Sequence, residues 1–237
     1  MEQLKKHPIS LSEVLKARKV VTQHLRSSAL IKYEGLSQLL GFNAYVKHEN
    51  QNITGSFKIR GGINLMSHIK KSAVKGVVTF STGNHGLSVA TSARLFGIPA
   101  IVVVPENSNP VKIRLIKDAG AQIVEAGKNF DEASKVVSEI IAKQKYYYVH
   151  PANEPHIING VGTEFLEIMD ELPEIDAIIL PLGGGSEVAS AVTSLKSIKP
   201  TIEIYAVQAE LSCAAYLSWK QGKILASSNQ TFAGGFA

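Results

Sequence analysis

The sequence predicts an α/β fold with two open, mainly parallel twisted sheets and helices on both faces. Three observations predict it. From residue 76 onward, short β-branched runs alternate with amphipathic stretches of helical period. These runs are continuously apolar, as strands buried on both faces are. Finally, the run at 176–182 enters three glycines and a serine, Gly183–Ser186, and then a helical stretch, the composition of a tight strand-to-helix turn.

The elements follow in order. Ser10 caps a helix over about 10–25, with Leu11, Val14, Leu15 and Arg18 at helical spacing. A strand starts at Ala44. The regular series then gives a strand at 76–81, a helix at 84–97 closed by Gly97 and a strand at 99–105. It continues with a helix at 110–120 closed by Gly120, a strand at 121–127, a helix at 130–145 and a strand at 146–151. A second series has helices at 156–172, 186–198 and 212–223 around strands at 176–182 and 203–209. Crossovers should be right-handed. Residues 76–153 are expected to form a small α/β domain, and residues 1–75 with 154–237 a larger one.

Composition narrows the function. With 45% apolar residues in 237, the chain can bury a sizeable core. No apolar run approaches the roughly 18 residues of a spanning helix, so no membrane association is expected. The charged N-terminus lacks the apolar stretch of a secretory leader. The single cysteine, Cys213, cannot form an intramolecular disulfide and suits a reducing, cytoplasmic compartment. The net charge of +5 is dispersed, which argues against nucleic-acid binding and leaves anionic small molecules as partners.

Three places carry chemistry. Gly183, Gly184 and Gly185 can turn their N–H groups toward one point, and Ser186 opens the following helix, whose positive end favours an anion, most simply a phosphate. Residues 81–85, Ser-Thr-Gly-Asn-His, repeat this construction and converge hydroxyls, an amide and free N–H groups at a strand's carboxyl end. His85 by itself reads as a structural histidine. The third is Lys58, between Phe57 and Ile59, with small residues Thr54, Gly55 and Ser56 before it and Gly61 and Gly62 after it. A lysine in an apolar turn near another cation, here Arg60, can lose its proton and act as a Schiff-base nucleophile, and small neighbours would admit a flat ring. Lysine, phosphate cradle and polar loop together match the needs of pyridoxal 5'-phosphate. Residues 150–156, with His150, Glu154 and His156, read as a strand-to-helix connection. Trp219 and Tyr146–Tyr148 read as packing residues.

Four segments in order, KHENQNITGSFKIRGG (47–62), STGNHGLSVA (81–90), VHPANEPHIINGVGTEFLEI (149–168) and LPLGGGSEVASA (180–191), resemble the fold-type II pyridoxal phosphate enzymes. The resemblance is to the serine/threonine dehydratase (threonine ammonia-lyase) and serine racemase group, of tryptophan synthase β-like fold, and covers nearly the whole chain. It implies that Lys58 joins the cofactor aldehyde and, once freed, takes the substrate Cα proton. It places Phe57 beside the ring, Asn84 on the ring 3-hydroxyl, and Gly183, Gly184, Gly185 and Ser186 on the phosphate. Ser81, Thr82, Gly83, Asn84 and His85 would hold the substrate carboxylate. The implied reaction is β-elimination of water from L-threonine or L-serine, giving a 2-oxo acid and ammonia. A serine racemase, a β-replacing synthase or an inactive cofactor-binding relative are the alternatives. The resemblance also implies a homodimer or higher homo-oligomer.

The chain departs from the family pattern in four places. Ser186 and Ser190 stand where glycines are usual, and Ser186 still suits a phosphate. Thr82 replaces the racemase serine that acts as acid or base on the opposite ring face; it keeps the hydroxyl, but its methyl argues against racemisation. Gln208 and Ala214 stand where relatives hold a divalent cation, so that site should be weak or lost, and Glu210 does not replace it. Residues 231–237, TFAGGFA, resemble a family segment after which a last quarter normally follows, carrying the partner of the pyridine nitrogen.

Overall fold

The computed structural model describes residues 6–127 and 130–233. The first residues of the leader expectation (1–5) and Gly234–Ala237 of the terminal motif lie outside them. Helix α1 (Leu11–Val21) begins as expected, with Ser10 Oγ accepting the Glu13 N–H. Its inner face is Val14, Ala17 and Val21, while Leu15, one of the residues at helical spacing, is 47% exposed. Strand β1 (Leu30–Lys32), helix α2 (Glu34–Leu40) and β2 (Tyr45–Lys47) follow, β1 and β2 pairing antiparallel. A 3-10 turn (Glu49–Gln51) leads to α3 (Lys58–Ile69), buried along most of its length. Neither α2 nor α3 was legible, because α2 has no buried residue to impose a period and α3 is buried on nearly every side.

The central sheet holds β3 (Val77–Phe80), β4 (Ala100–Val104), β5 (Gln122–Glu125) and β6 (Tyr147–Tyr148). All pairs are parallel, in the order β5-β4-β3-β6, with Val78 opposite both Ile101 and Tyr148. The crossovers are α4 (Asn84–Phe96), α5 (Pro110–Asp118) and α6 (Phe130–Gln144). Gly97 at φ 65° and Gly120 at φ 103° close α4 and α5 in the left-handed conformation that glycine adopts without penalty. Side chains alternate faces along the strands. Val77, Val102 and Val104 enter the main core, while Val78, Ile101 and Val103 meet Val137 of α6 on the opposite face. Both faces are covered, as the continuous apolar runs required.

The helix expected over 156–172 is two helices, α7 (Pro155–Val161) and α8 (Thr163–Glu171), meeting at Gly162. A Cβ on Gly162 would lie 2.7 Å from Val14 Cγ2, so its reason is close packing against α1. Strand β7 (Ala177–Pro181), helix α9 (Ser186–Ile198) and strand β8 (Glu203–Val207) follow; β7 and β8 form a two-stranded parallel sheet. A short 3-10 turn (Glu210–Ser212) and α10 (Ala214–Gln221) end the series. Trp219, expected in packing, is 80% exposed. The main core runs without a break from α3 through β3 and β4 to α7, α8 and α9.

Candidate active site

Lys58 is the first residue of α3 rather than part of a turn, and it is shielded from solvent. Its Nζ lies 4.7 Å above the Phe57 ring centroid and donates to Ser186 Oγ at 3.3 Å, while its carbonyl accepts the Ser88 hydroxyl at 2.7 Å. It makes no ion pair among the described residues. Burial holds its pKa below the usual lysine value, and Glu187 opposes the shift. Arg60, expected to help depress it, does not. Its guanidinium is wholly buried and clamped between Glu49 (2.7 and 2.8 Å) and Glu167 (2.7 and 2.8 Å).

The glycines after Lys58 also have another reason than room for a flat ring. A Cβ on Gly61 would meet Ile157 Cγ2 at 2.8 Å, and one on Gly62 would meet Ser88 Oγ at 2.6 Å. They let α3 press against α7 and α4.

Ser186 belongs to the glycine loop at the carboxyl end of β7. Gly185 has φ 90°, which turns the chain into α9 in a conformation that a side chain would strain. Ser186 is buried in the first turn of α9, and Ser190 Oγ donates to its carbonyl at 2.6 Å and to that of Ile158 at 2.7 Å. A Cβ on Gly184 would sit 3.1 Å from Ala152 Cβ, so this loop abuts the segment after β6. The first N–H groups of α9 have no intrahelical acceptor and form a positive end beside the Lys58 amine.

The second loop follows β3. Ser81 Oγ accepts the Gly83 N–H at 3.1 Å. Among the described residues, its chain neighbours aside, nothing lies within 4 Å of the position a Gly83 Cβ would take, so the backbone is open there. Thr82 is half-buried and Asn84, the first residue of α4, is exposed; neither side chain is hydrogen-bonded among the described residues. His85 turns inward. Thr79 Oγ1 spends its proton on the Val149 carbonyl at 2.8 Å, so His85 Nε2 carries the hydrogen toward Thr79 Oγ1 at 3.0 Å and the Val149 carbonyl at 3.3 Å. Burial, then Lys58, pushes the His85 pKa down to about 3, so the ring is neutral. Its structural reading from sequence agrees with this geometry.

Sequence reasoning missed two groups. The hydroxyls of Thr54 and Ser56 are buried without a hydrogen-bond partner among the described residues, just before Lys58. Such orphans are costly unless something answers them. Glu164 and Glu187 are also buried, Glu187 directly after Ser186 in the first turn of α9 and Glu164 on α8, where it feels the Glu49, Arg60 and Lys47 charges. Only the small polar run 54–56 offered a hint, and it was read as space rather than as donors. Residues 150–156 are a connection, as expected: His150 Nδ1 accepts the N–H groups of Ala152 and Asn153, and Glu154 caps α7. Gln208 Oε1 accepts the Tyr216 N–H. A half-buried amine, orphan hydroxyls, open backbone at Gly83 and a free helix end at Ser186 fit a phosphorylated ring aldehyde.

The family model described as "Pyridoxal-phosphate dependent enzyme" matches residues 21–237. The chain belongs to this family. It is 37% identical over 216 residues to an L-threonine ammonia-lyase of Thermotoga maritima, covering 91% of this chain and 54% of the relative. It is 38% identical over 206 residues to a catabolic L-threonine dehydratase of Staphylococcus aureus, covering 86% and 60%. The solved structure of maize serine racemase superposes with a TM-score of 0.93 at 29% identity, over 97% of this chain and 70% of that one. Threonine deaminase isoform 2 of Solanum lycopersicum gives 0.90 at 35% identity, over 96% and 62%. The chain thus spans little more than half the length of the curated relatives it matches. The fold is that of the fold-type II enzymes, as the sequence motifs implied.

Proposed function

We propose that the protein to which this chain belongs is a pyridoxal phosphate-dependent ammonia-lyase that dehydrates and deaminates L-threonine or L-serine to a 2-oxo acid and ammonia. The observation that carries the proposal is the Lys58 amine: half-buried, not ion-paired among the described residues, and 3.3 Å from the serine that opens the glycine-loop helix. Pyridoxal phosphate, when bound, supplies an aldehyde for amines and a ring that withdraws electrons from the substrate Cα.

The residues divide the work. Gly183, Gly184, Gly185 and Ser186 hold the phosphate with backbone N–H groups and a hydroxyl. Phe57 and Asn84 hold the ring and its 3-hydroxyl. Ser81, Thr82, Gly83, Asn84 and His85 form the loop for the substrate carboxylate, and thereby fix the Cα–H bond toward Lys58. His85 acts in this loop from beneath, as a neutral ring pinning it to β3. Lys58 Nζ, with its proton affinity lowered by burial, accepts the Cα proton. Thr82, whose hydroxyl is not engaged, is the candidate acid or base on the other face. Among the described residues no helix is long and apolar enough to cross a membrane. A cytoplasmic homo-oligomer, with residues 76–153 as its small domain, completes the proposal.

The test adds the cofactor to the 237-residue chain. A visible band that borohydride locks onto Lys58 is expected, and no band overturns the cofactor assignment. Turnover of L-threonine or L-serine is read as 2-oxo acid and ammonia, and chiral analysis of residual serine detects a racemase instead. Lys58→Ala should lower the rate about 10²–10⁴-fold or more; an unchanged rate removes Lys58 from the chemistry.

A further inference from the structure

Lys58 opens a helix whose first turn has little of its own to hold it. Phe57 stands at the N-cap of α3 and offers no side-chain acceptor to the first-turn N–H groups. The nearby hydroxyls of Thr54 and Ser56 have no hydrogen-bond partner among the described residues, so they do not serve either. Gly61 and Gly62 follow within the first two turns, and glycine favours a helix less than any residue but proline. Such a terminus frays unless a tertiary contact restrains it.

The restraint comes from α4. Ser88 is 2% exposed, and its Oγ donates to the Lys58 carbonyl at 2.7 Å. Gly62 makes room for this bond, because a Cβ there would lie 2.6 Å from Ser88 Oγ. Ser88 sits four residues after Asn84, hence on the same face of α4. The start of α4 is itself fixed, since His85 Nε2 reaches Thr79 Oγ1 on β3 at 3.0 Å and the Val149 carbonyl at 3.3 Å. We infer that Ser88 is a positioning residue for the lysine: its hydroxyl clamps the first turn of α3 onto α4, and so keeps Lys58 Nζ 4.7 Å above the Phe57 ring centroid and 3.3 Å from Ser186 Oγ. The bond joins the helix that begins in the 81–85 loop to the helix that begins with the lysine, so it also sets the spacing between loop and amine. Ser88 acts through Lys58 rather than on substrate. Without the hydroxyl the first turn opens and the amine moves toward water. Burial is what lowers the Lys58 pKa, so its proton affinity climbs back toward that of an ordinary lysine. The inference rests on Lys58 being the reacting amine, but its test needs no cofactor.

On the cofactor-free 237-residue chain, the pH dependence of Lys58 acetylation by acetic anhydride, read by peptide mass spectrometry, reports its amine fraction. Ser88→Ala should raise the midpoint by about half a pH unit or more. Ser92→Ala is the control for packing alone. Ser92 is wholly buried four residues further along the same face, and among the described residues its hydroxyl donates to the α4 carbonyls of Ser88 and Val89, not to Lys58. It should leave the Lys58 midpoint at the parent value. An unchanged midpoint in Ser88→Ala, or an equal rise in Ser92→Ala, overturns the inference. Ser88→Cys keeps the side chain's size and weakens the donor, so it gives the reading if the alanine variant does not fold. Its midpoint should rise as well, and a parent-like value overturns the clamp. Absence of the cofactor band leaves these midpoints interpretable, so the two proposals fail separately.

Discussion

Arg60 is two residues from the amine yet serves the fold. Four of its donors meet two carboxylates in fork geometry with no exposed surface and the fifth reaches Thr163 Oγ1, while Ser28 and Asn52 donate to the remaining Glu49 lone pairs at 2.5 and 2.7 Å. Removing the guanidinium would leave Glu49 and Glu167 buried with only Lys47 nearby. Arg60→Met is therefore expected to cost about 3–5 kcal/mol, read from urea unfolding; a loss within the scatter of surface variants contradicts this. Histidines set a second expectation at this scale. His85 and His156 are both held down to about 3, first by burial, and then by Lys58 for His85 and by His68 and His7 for His156. An unfolded histidine titrates near 6.5. Between these values the unfolded chain binds protons that the folded one refuses. Stability is complete above the unfolded pKa and falls as pH drops from 6.5 toward about 3. Thermal melts from about pH 7 to about pH 4 should show this slope, and His156→Gln should flatten it; an equal slope in the variant removes His156 as a contributor. Glu187 has the opposite sign, raised from 4.5 to about 7, so its contribution is lost as pH rises through that window.

The decisive elements are the helices that cross beneath the lysine. At the α3–α7 crossing, Gly61 faces Ile157, and a Cβ on Gly160 would lie 2.6 Å from the Arg60 carbonyl. Backbone cannot yield as a flexible side chain can. Gly61→Ala should destabilise by about 1–3 kcal/mol, with cofactor affinity falling in parallel because α3 carries Lys58. An equally stable Gly61→Ala variant would show that the crossing relaxes freely. This case also marks what was legible. The strand–loop–helix order, the glycine loop and the left-handed Gly97 and Gly120 could be read from sequence because local backbone chemistry dictates them. The role of Gly61 and Gly62 could not, since small size serves a ligand and a helix crossing equally well. Nor could the orphan hydroxyls of Thr54 and Ser56, because a missing partner is a property of three-dimensional surroundings.

At the scale of the molecule, one apolar face remains open. After Asp176 the run 177–182 is continuously apolar, which predicts a strand covered on both sides. The inner residues Ile178, Leu180 and Ile204 do join the main core. On the outer face, however, Ile179 pairs with Tyr205 and Pro181 with Val207, and Ile179, Tyr205 and Val207 are 65%, 52% and 49% exposed. Adjacent apolar side chains on a parallel sheet, facing water, make a contiguous patch of the kind that mediates contacts or aggregation. The 237-residue chain by itself should bind a hydrophobic dye and associate as its concentration rises. The double substitution Ile179→Lys and Tyr205→Lys places two charges at the centre of that face and leaves the core-facing side of both strands unchanged. It should cut dye emission and shift sedimentation toward the monomer, with far-UV circular dichroism preserved. Unchanged dye binding in a folded double variant would assign the sticky surface elsewhere, with Trp219 at 80% and Phe232 fully exposed as the next residues to replace.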